Sequence, residues 1–148
     1  LLPIMRARFQ ICKDKGFDAI EPDEIDGYSN DSGFPLTYND QLSYNRAIAD
    51  LAHSMGFSIG QKGDIDQVKD LWSWFDWSLN EQCFEFDECD DLATYYVKNG
   101  KAVFQVEYDD PFSGHVANPA TFCSKANALN FNTSKMPLNL DGGRLPCR

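Results

Sequence analysis

The residues best suited to chemistry in this chain are carboxylates placed where strands end. The stretch "EPDEID" gathers Glu21, Asp23, Glu24 and Asp26 directly after an apolar segment, and "WSLNE" delivers Glu81 to the same kind of position further along. Two carboxylates facing each other across a cleft can hydrolyse a glycosidic bond, one as nucleophile or base and the other as a proton donor with a raised pKa. By position Asp23 and Glu81 make the best pair, since each leaves a strand of a different unit and enters a loop. Lys62, after "SIGQ", is suited to hold a substrate oxygen or to tune a neighbouring carboxylate; a plain salt bridge to Glu21 or Asp23 is compatible with both. Tyr108, beside Glu107 at another strand end, is placed to line the same cleft. Acids alone are a weak pointer, because most of the 23 in the chain should simply be solvated.

Competing chemistries fit less well. Glu21, Asp23, Glu24 and Asp26 offer oxygen ligands to Ca²⁺ or Mg²⁺, but lack the spaced Asp, Asn and Gly order of a calcium loop and its terminal Glu, so no metal site is expected. Trp72, Trp74 and Trp77 could stack on sugar faces, yet their place in and just after a helix favours packing. His53 reads as an ordinary helix histidine. No Ser or Cys with matching His and Asp stands out for acyl transfer. A glycine-rich phosphate loop is missing after the first strand, which disfavours nucleotides.

The elements that must position these residues follow from periodicity. Pro3 to Lys15 has helical spacing and stops at Gly16; Thr37 with Asp40 resembles a capping box opening a helix that runs to Gly56. Asp64 with Gln67 suggests another capped start, with Ile65, Val68, Leu71 and Phe75 on one face. Further helices are expected in "DECDDLATYYVKNG" and around "NPATFCSKANA". "FDAIEP", "FSIGQK", "WSLNEQ", "AVFQVEY" and finally "LNF" are the strand candidates. Strand and helix alternate with short links, which implies parallel strands and right-handed crossovers. Every candidate residue then lies at a strand C-terminus, where a (β/α)8 barrel keeps its active site. Four or five units are legible in the 148 residues, against eight and about 250 for a full barrel. The whole chain, 1–148, is therefore expected to be a partial TIM-barrel domain lacking its N-terminal strands, the C-terminal half or slightly more.

Composition narrows partner and compartment. Thirteen basic against 23 acidic residues give a formal charge of −10, which repels nucleic acid and anionic membranes and attracts polycations. No apolar run approaches the roughly 18 residues of a membrane span, and the N-terminal stretch lacks the order of a signal peptide. Of the cysteines, Cys83 with Cys89 and Cys123 with Cys147 are the economical pairings in a secreted protein, leaving Cys12 over; buried free thiols are the alternative. Two sequons occur, at Asn30 and Asn132, and Asn132 is the one favoured for glycosylation because Asn30 sits beside the cleft.

"KGFDAIEPDEIDGY", "NDSGFPLT", "DQLSYNRAIADLAHSMG", "DWSLNEQCFEFDEC" and "GKAVFQVEY", in that order from about Met5 to Tyr108, resemble glycoside hydrolase family 114 in its fungal form, the endo-α-1,4-polygalactosaminidases. The C-terminal "FCSKANALNFNTSKMPLNLDGGRLPCR" is similar to the tail of the fungal members. The resemblance implies a TIM barrel, secretion, and endo-hydrolysis of α-1,4-linked galactosamine polymers such as galactosaminogalactan, without metal or organic cofactor, by a protein that is a monomer when intact. It implies Asp23 as nucleophile and Glu81 as acid/base, with Glu21, Asp26, Asn30, Lys62, Glu107 and Tyr108 along the cleft. Two positions depart from the pattern: Glu24 stands where Asn is usual after "EPD", and Gly63 where Asn is usual after Lys62. The rival expectation is a non-catalytic carbohydrate-binding pseudoenzyme or inactive fragment of the same fold. A retaining mechanism requires carboxyl groups about 5 to 5.5 Å apart, an inverting one about 6.5 to 9.5 Å. Deacetylated galactosamine is cationic, which suits the acidic charge.

Overall fold

The computed structural model describes all of Leu1–Arg148. The chain divides into two compact units, Leu1–Trp77 and Ser78–Arg148.

In the first unit, helix α1 (Leu2–Asp14) carries Pro3 in its first turn and buries Phe9. That ring meets Phe57 edge to face, centroids 6.3 Å apart. Gly16, at φ +83°, takes the left-handed conformation that ends a helix most cheaply. Strand β1 (Ala19–Ile20) pairs in parallel with β2 (Ser58–Lys62), setting Ile20 opposite Ile59. The crossover between them is α2 (Tyr38–Ser54), opened by the expected capping box: the Asp40 N–H donates to the Thr37 hydroxyl and the Asp40 carboxylate accepts from the Thr37 N–H. Ile48, Ala49 and Ala52 of α2 are completely buried, as their three- and four-residue spacing requires.

After β2 comes a 3-10 turn, Ile65–Gln67, and the single helical turn α3 (Val68–Leu71), which buries Val68 and Leu71. The cap expected at Asp64 does not form: the residue adopts φ 52° and its carboxylate accepts instead from the Asn45 side chain at 3.0 Å. Of the tryptophans, Trp77 has a demonstrable packing role. Its ring lies on the backbone of Gly60, where an added Cβ would come within 2.3 Å of ring carbons, and its Nε1–H donates to Ser58 Oγ at 2.8 Å. Trp74 packs beneath the Arg46 guanidinium, 4.3 Å from ring centroid to Cζ.

The second unit follows β3 (Trp77–Glu81), a strand that begins at the boundary, with β4 (Ala102–Asp109), β5 (Asn132–Pro137) and the short β6 (Leu145–Pro146), in that spatial order. β4 and β5 are parallel, Phe104 opposite Asn132 through Asp109 opposite Pro137, and β6 is antiparallel to β5. Helices α4 (Cys83–Phe86) and α5 (Cys89–Tyr95) connect β3 to β4, and α6 (Pro119–Ala128), capped by Asn118, connects β4 to β5. Phe122, Ala126, Leu92, Tyr96 and Phe131 fill the core between these helices and the strands.

Two disulfides take the local pairing rather than leaving free thiols: Cys83–Cys89 staples α4 to α5, and Cys123–Cys147 ties α6 to the chain end. Cys12 remains a thiol on α1. The last parallel strand lies later than "LNF": Asn130 turns at φ 60°, Phe131 is buried, and the strand runs through the polar "NTSKMP". No helix is long and apolar enough to cross a membrane.

Candidate active site

In the first unit the chemistry gathers where β1 and β2 end. Lys62, the last residue of β2, donates from Nζ to Asp23 Oδ1 at 3.1 Å, and the Glu24 N–H donates to the same oxygen at 3.0 Å. Burial pushes the Asp23 pKa up, but the Lys62 hydrogen bond, the Glu24 N–H and the Lys62 charge together hold it below the usual carboxylate value. The Lys62 side chain is 14% exposed against 63% for Asp23, so the lysine is the anchored partner and the carboxylate faces outward. Glu21 and Asp23 line one groove of about 550 Å³ with Arg8, Phe17, Ile20 and Tyr44. Asp26 and Asn30 contact each other, Nδ2 to Oδ1 at 3.4 Å.

In the second unit Glu81 is the last residue of β3, and the Tyr108 hydroxyl donates to its Oε1 at 2.5 Å. Glu107, next to Tyr108 on β4, points to the opposite face by strand alternation. Only 2% exposed, it accepts from the Phe84 N–H at 2.9 Å and from Gln105 Nε2 at 2.6 Å. Burial raises its pKa, partly offset by those two hydrogen bonds. Its geometry anchors the chain that leaves Glu81. The structure thus joins Asp23 with Lys62 and Glu81 with Tyr108, and sets Glu107 apart from Tyr108.

A backbone feature recurs directly after each of these three side chains. The residue immediately after Asp23 is left-handed (Glu24, φ 55°), as is the one after Lys62 (Gly63, φ 61°) and the one after Glu81 (Gln82, φ 63°). β2 and β3 stop abruptly there, so Lys62 and Glu81 project from the rim instead of continuing along the sheet, while β1 ends at Ile20 and Asp23 lies three residues into the loop that follows. A left-handed Glu or Gln costs energy that glycine and asparagine largely avoid, and such strain persists where the surroundings enforce it. At Gln82 the N–H is fixed to the Val106 carbonyl at 2.7 Å, and the Cys83–Cys89 staple follows at once.

Sequence reasoning passed over a buried polar group beneath the first of these rims. Asn45 of α2 is fully buried and Asp64 only 7% exposed; Gln41 Nε2 donates to Asn45 Oδ1 at 2.8 Å. Burial, then the charges of Asp26 and Asp66, push Asp64 up to about 7, against a smaller opposing effect of its Asn45 hydrogen bond. Burial and the carboxylates of Asp64, Asp66 and Asp26 raise Tyr28 to about 12. The available signal was an asparagine in the apolar stripe of an otherwise regular amphipathic helix.

Parallel strands linked by helices, with Lys62 and Glu81 at strand C-termini, define part of a (β/α)8 barrel. The model of glycoside-hydrolase family GH114 matches residues 2–148, and the chain belongs to that family. Ega3 of Aspergillus fumigatus, solved in complex with galactosamine, is similar at 35% identity and a TM-score of 0.86, over 99% of this chain and 60% of that one. The glycoside hydrolase domain of PelA from Pseudomonas aeruginosa shares the fold, with 10% identity and a TM-score of 0.64, over 97% of this chain and 62% of its own. This chain therefore spans about 60% of the length of these solved structures. No curated protein matches it.

Proposed function

We propose that the intact protein is a secreted endo-glycosidase that cleaves α-1,4-linked galactosamine polymers, with Asp23 as nucleophile and Glu81 as acid/base. The observation that carries this reading is the equivalence of the two carboxylates. Each stands immediately before a left-handed residue, Asp23 three residues past the end of β1 and Glu81 at the end of β3, and is held by a side chain of the next strand in its unit, Lys62 for Asp23 and Tyr108 for Glu81. A carboxylate kept ionised by a lysine suits attack on an anomeric carbon; one gripped at a single oxygen by a tyrosine hydroxyl is oriented to exchange a proton with the leaving oxygen.

The polymer class is supported by family membership, by the galactosamine complex of the similar Ega3, and by charge. The formal charge of −10 on these 148 residues draws a polyammonium chain toward them and gains nothing with neutral sugars. In this reading Glu21, Asp26 and Asn30 shape the groove beside Asp23, and Glu107 acts through the backbone that follows Glu81. Secretion is supported by the two disulfides, and a monomeric intact barrel needs no partner to close its sheet. The test is release of reducing ends from deacetylated galactosamine polymer by the intact protein and by Asp23→Asn and Glu81→Gln. Activity in the parent that drops by about a thousandfold or more in each variant, with polymer binding retained, is the expected result. Cleavage surviving in both variants overturns the assignment, and binding without any cleavage by the parent supports the pseudoenzyme instead.

A further inference from the structure

The left-handed residues at the β1 and β2 rims raise the question of what enforces them. Asn45, one helix layer below, answers it. Its Nδ2 donates to the Ile25 carbonyl at 2.9 Å and to Asp64 Oδ2 at 3.0 Å. Ile25 follows the left-handed Glu24, and Asp64 follows the left-handed Gly63. The amide itself is set by Gln41, whose Nε2 donates to Asn45 Oδ1 at 2.8 Å, and Gln61 braces the second loop through the Gly63 and Asp64 carbonyls at 3.1 and 3.0 Å. Asn45, Ile25, Gln61 and Asp64 are all buried, so water does not compete for these bonds.

We propose that Asn45 is a positioning residue for the Asp23–Lys62 pair, its single amide tying the loop that presents Asp23 to the loop that follows Lys62. This rests on the role given to Asp23 above. Each link lies two residues beyond the side chain it controls, close enough that rotation of either loop alters the 3.1 Å contact between Lys62 and Asp23. Strained turns hold only where the surroundings over-determine them. One donor group shared between two such turns couples them, so that neither Asp23 nor Lys62 moves alone. The charged and titratable groups beside the pair are Lys62 from β2 and, in the groove that Asp23 lines, Arg8 and Tyr44 from the helices and Glu21 and Glu24 from the β1 loop; around the tie they are Asp64, Asp66, Asp26 and Tyr28.

The test is the Asp23 carboxyl titration followed by carbon-detected NMR in the intact protein, alongside kcat/KM on deacetylated galactosamine polymer. In Asn45→Ala the Asp23 pKa should rise toward the ordinary carboxylate value as Lys62 and the Glu24 N–H lose their alignment. kcat should fall by about 10- to 100-fold with KM little changed, the signature of misplaced rather than missing groups. In a Lys62→Met background the same substitution should cost only a small fraction of that. If Asn45→Ala does not fold, Gln41→Met frees the amide at nearly constant volume and should give a smaller change in the same direction.

An unchanged Asp23 titration in a folded Asn45 or Gln41 variant overturns the proposal, as does a kcat loss of equal size with Lys62 already removed. A titration shift in a protein that cleaves no polymer supports the positioning role while overturning the glycosidase reading.

Discussion

At the scale of the residue, Lys62 offsets at Asp23 the effect of partial burial. Burial raises the Asp23 pKa, yet the lysine hydrogen bond, the Glu24 N–H and the lysine charge keep its carboxyl below the ordinary value. Because that pKa is depressed, Asp23 remains ionised to lower pH than a free aspartate, and removing Lys62 reverses the effect. Lys62→Met should therefore move the acidic limb of the kcat/KM profile to higher pH and lower the plateau, which a pH series on the polymer checks. Glu24 is the second residue-scale case. A left-handed glutamate at an exposed turn is a misfit that asparagine or glycine relieves, so Glu24→Asn should stabilise the protein by about 0.5–1 kcal/mol in urea titrations. Gly63, the other departure from the family pattern, already suits its φ of 61°.

At the scale of the element, α2 is both crossover and bracket. Its apolar stripe packs in the core while Asn45, held by Gln41 on the same buried side, reaches the loops that follow β1 and β2. The cost of that arrangement is Asp64, buried with Oδ1 lacking a hydrogen-bond partner and with Asp26 and Asp66 nearby. Its folded pKa, about 7, lies above the ordinary 3.8, so the native state binds the proton more tightly than the unfolded chain does. Stability from this group is then complete below about pH 4 and is lost as pH rises to about 7, by on the order of 4 kcal/mol at most. Asp64→Asn keeps an acceptor for Asn45 and tolerates the left-handed backbone. Its melting temperature should exceed the parent's by more at pH 8 than at pH 4; an equal difference at both would refute the account.

At the scale of the whole molecule, the proposed polycationic substrate would be drawn in by charge. The formal −10 of these 148 residues sets a long-range attraction for polycations that salt screens, with a Debye length of about 10 Å at 0.1 M. Binding of the deacetylated polymer should weaken several-fold between 50 and 300 mM salt, while any binding of a fully N-acetylated polymer stays nearly flat; titration calorimetry distinguishes the two. This prediction depends on net charge and not on the alignment of any single side chain.

Much of this was legible in the residues themselves. The Thr37–Asp40 box, the glycine stops at Gly16, Gly56 and Gly100, and strands rich in Ile, Val, Phe and Tyr place most elements, because caps and periodicity are local properties of the chain. The strand-end location of Asp23, Lys62 and Glu81 follows from the same alternation. β5 escaped because "NTSKMP" has little apolar signal: Thr133 and Ser134 are buried there by parallel pairing with β4, a partner distant in sequence. Which face Glu107 occupies, and what Asp64 binds, also depended on packing. Asp64 looked like a helix cap because the local choice was a cap; burial against α2 offered the Asn45 amide instead. Sequence by itself determined most of the elements and the rim residues, since these rest on short-range backbone preferences. Only the tertiary structure decided how those residues are held, because a hydrogen bond such as Asn45 to Ile25 joins groups 20 positions apart that nothing but the fold brings together.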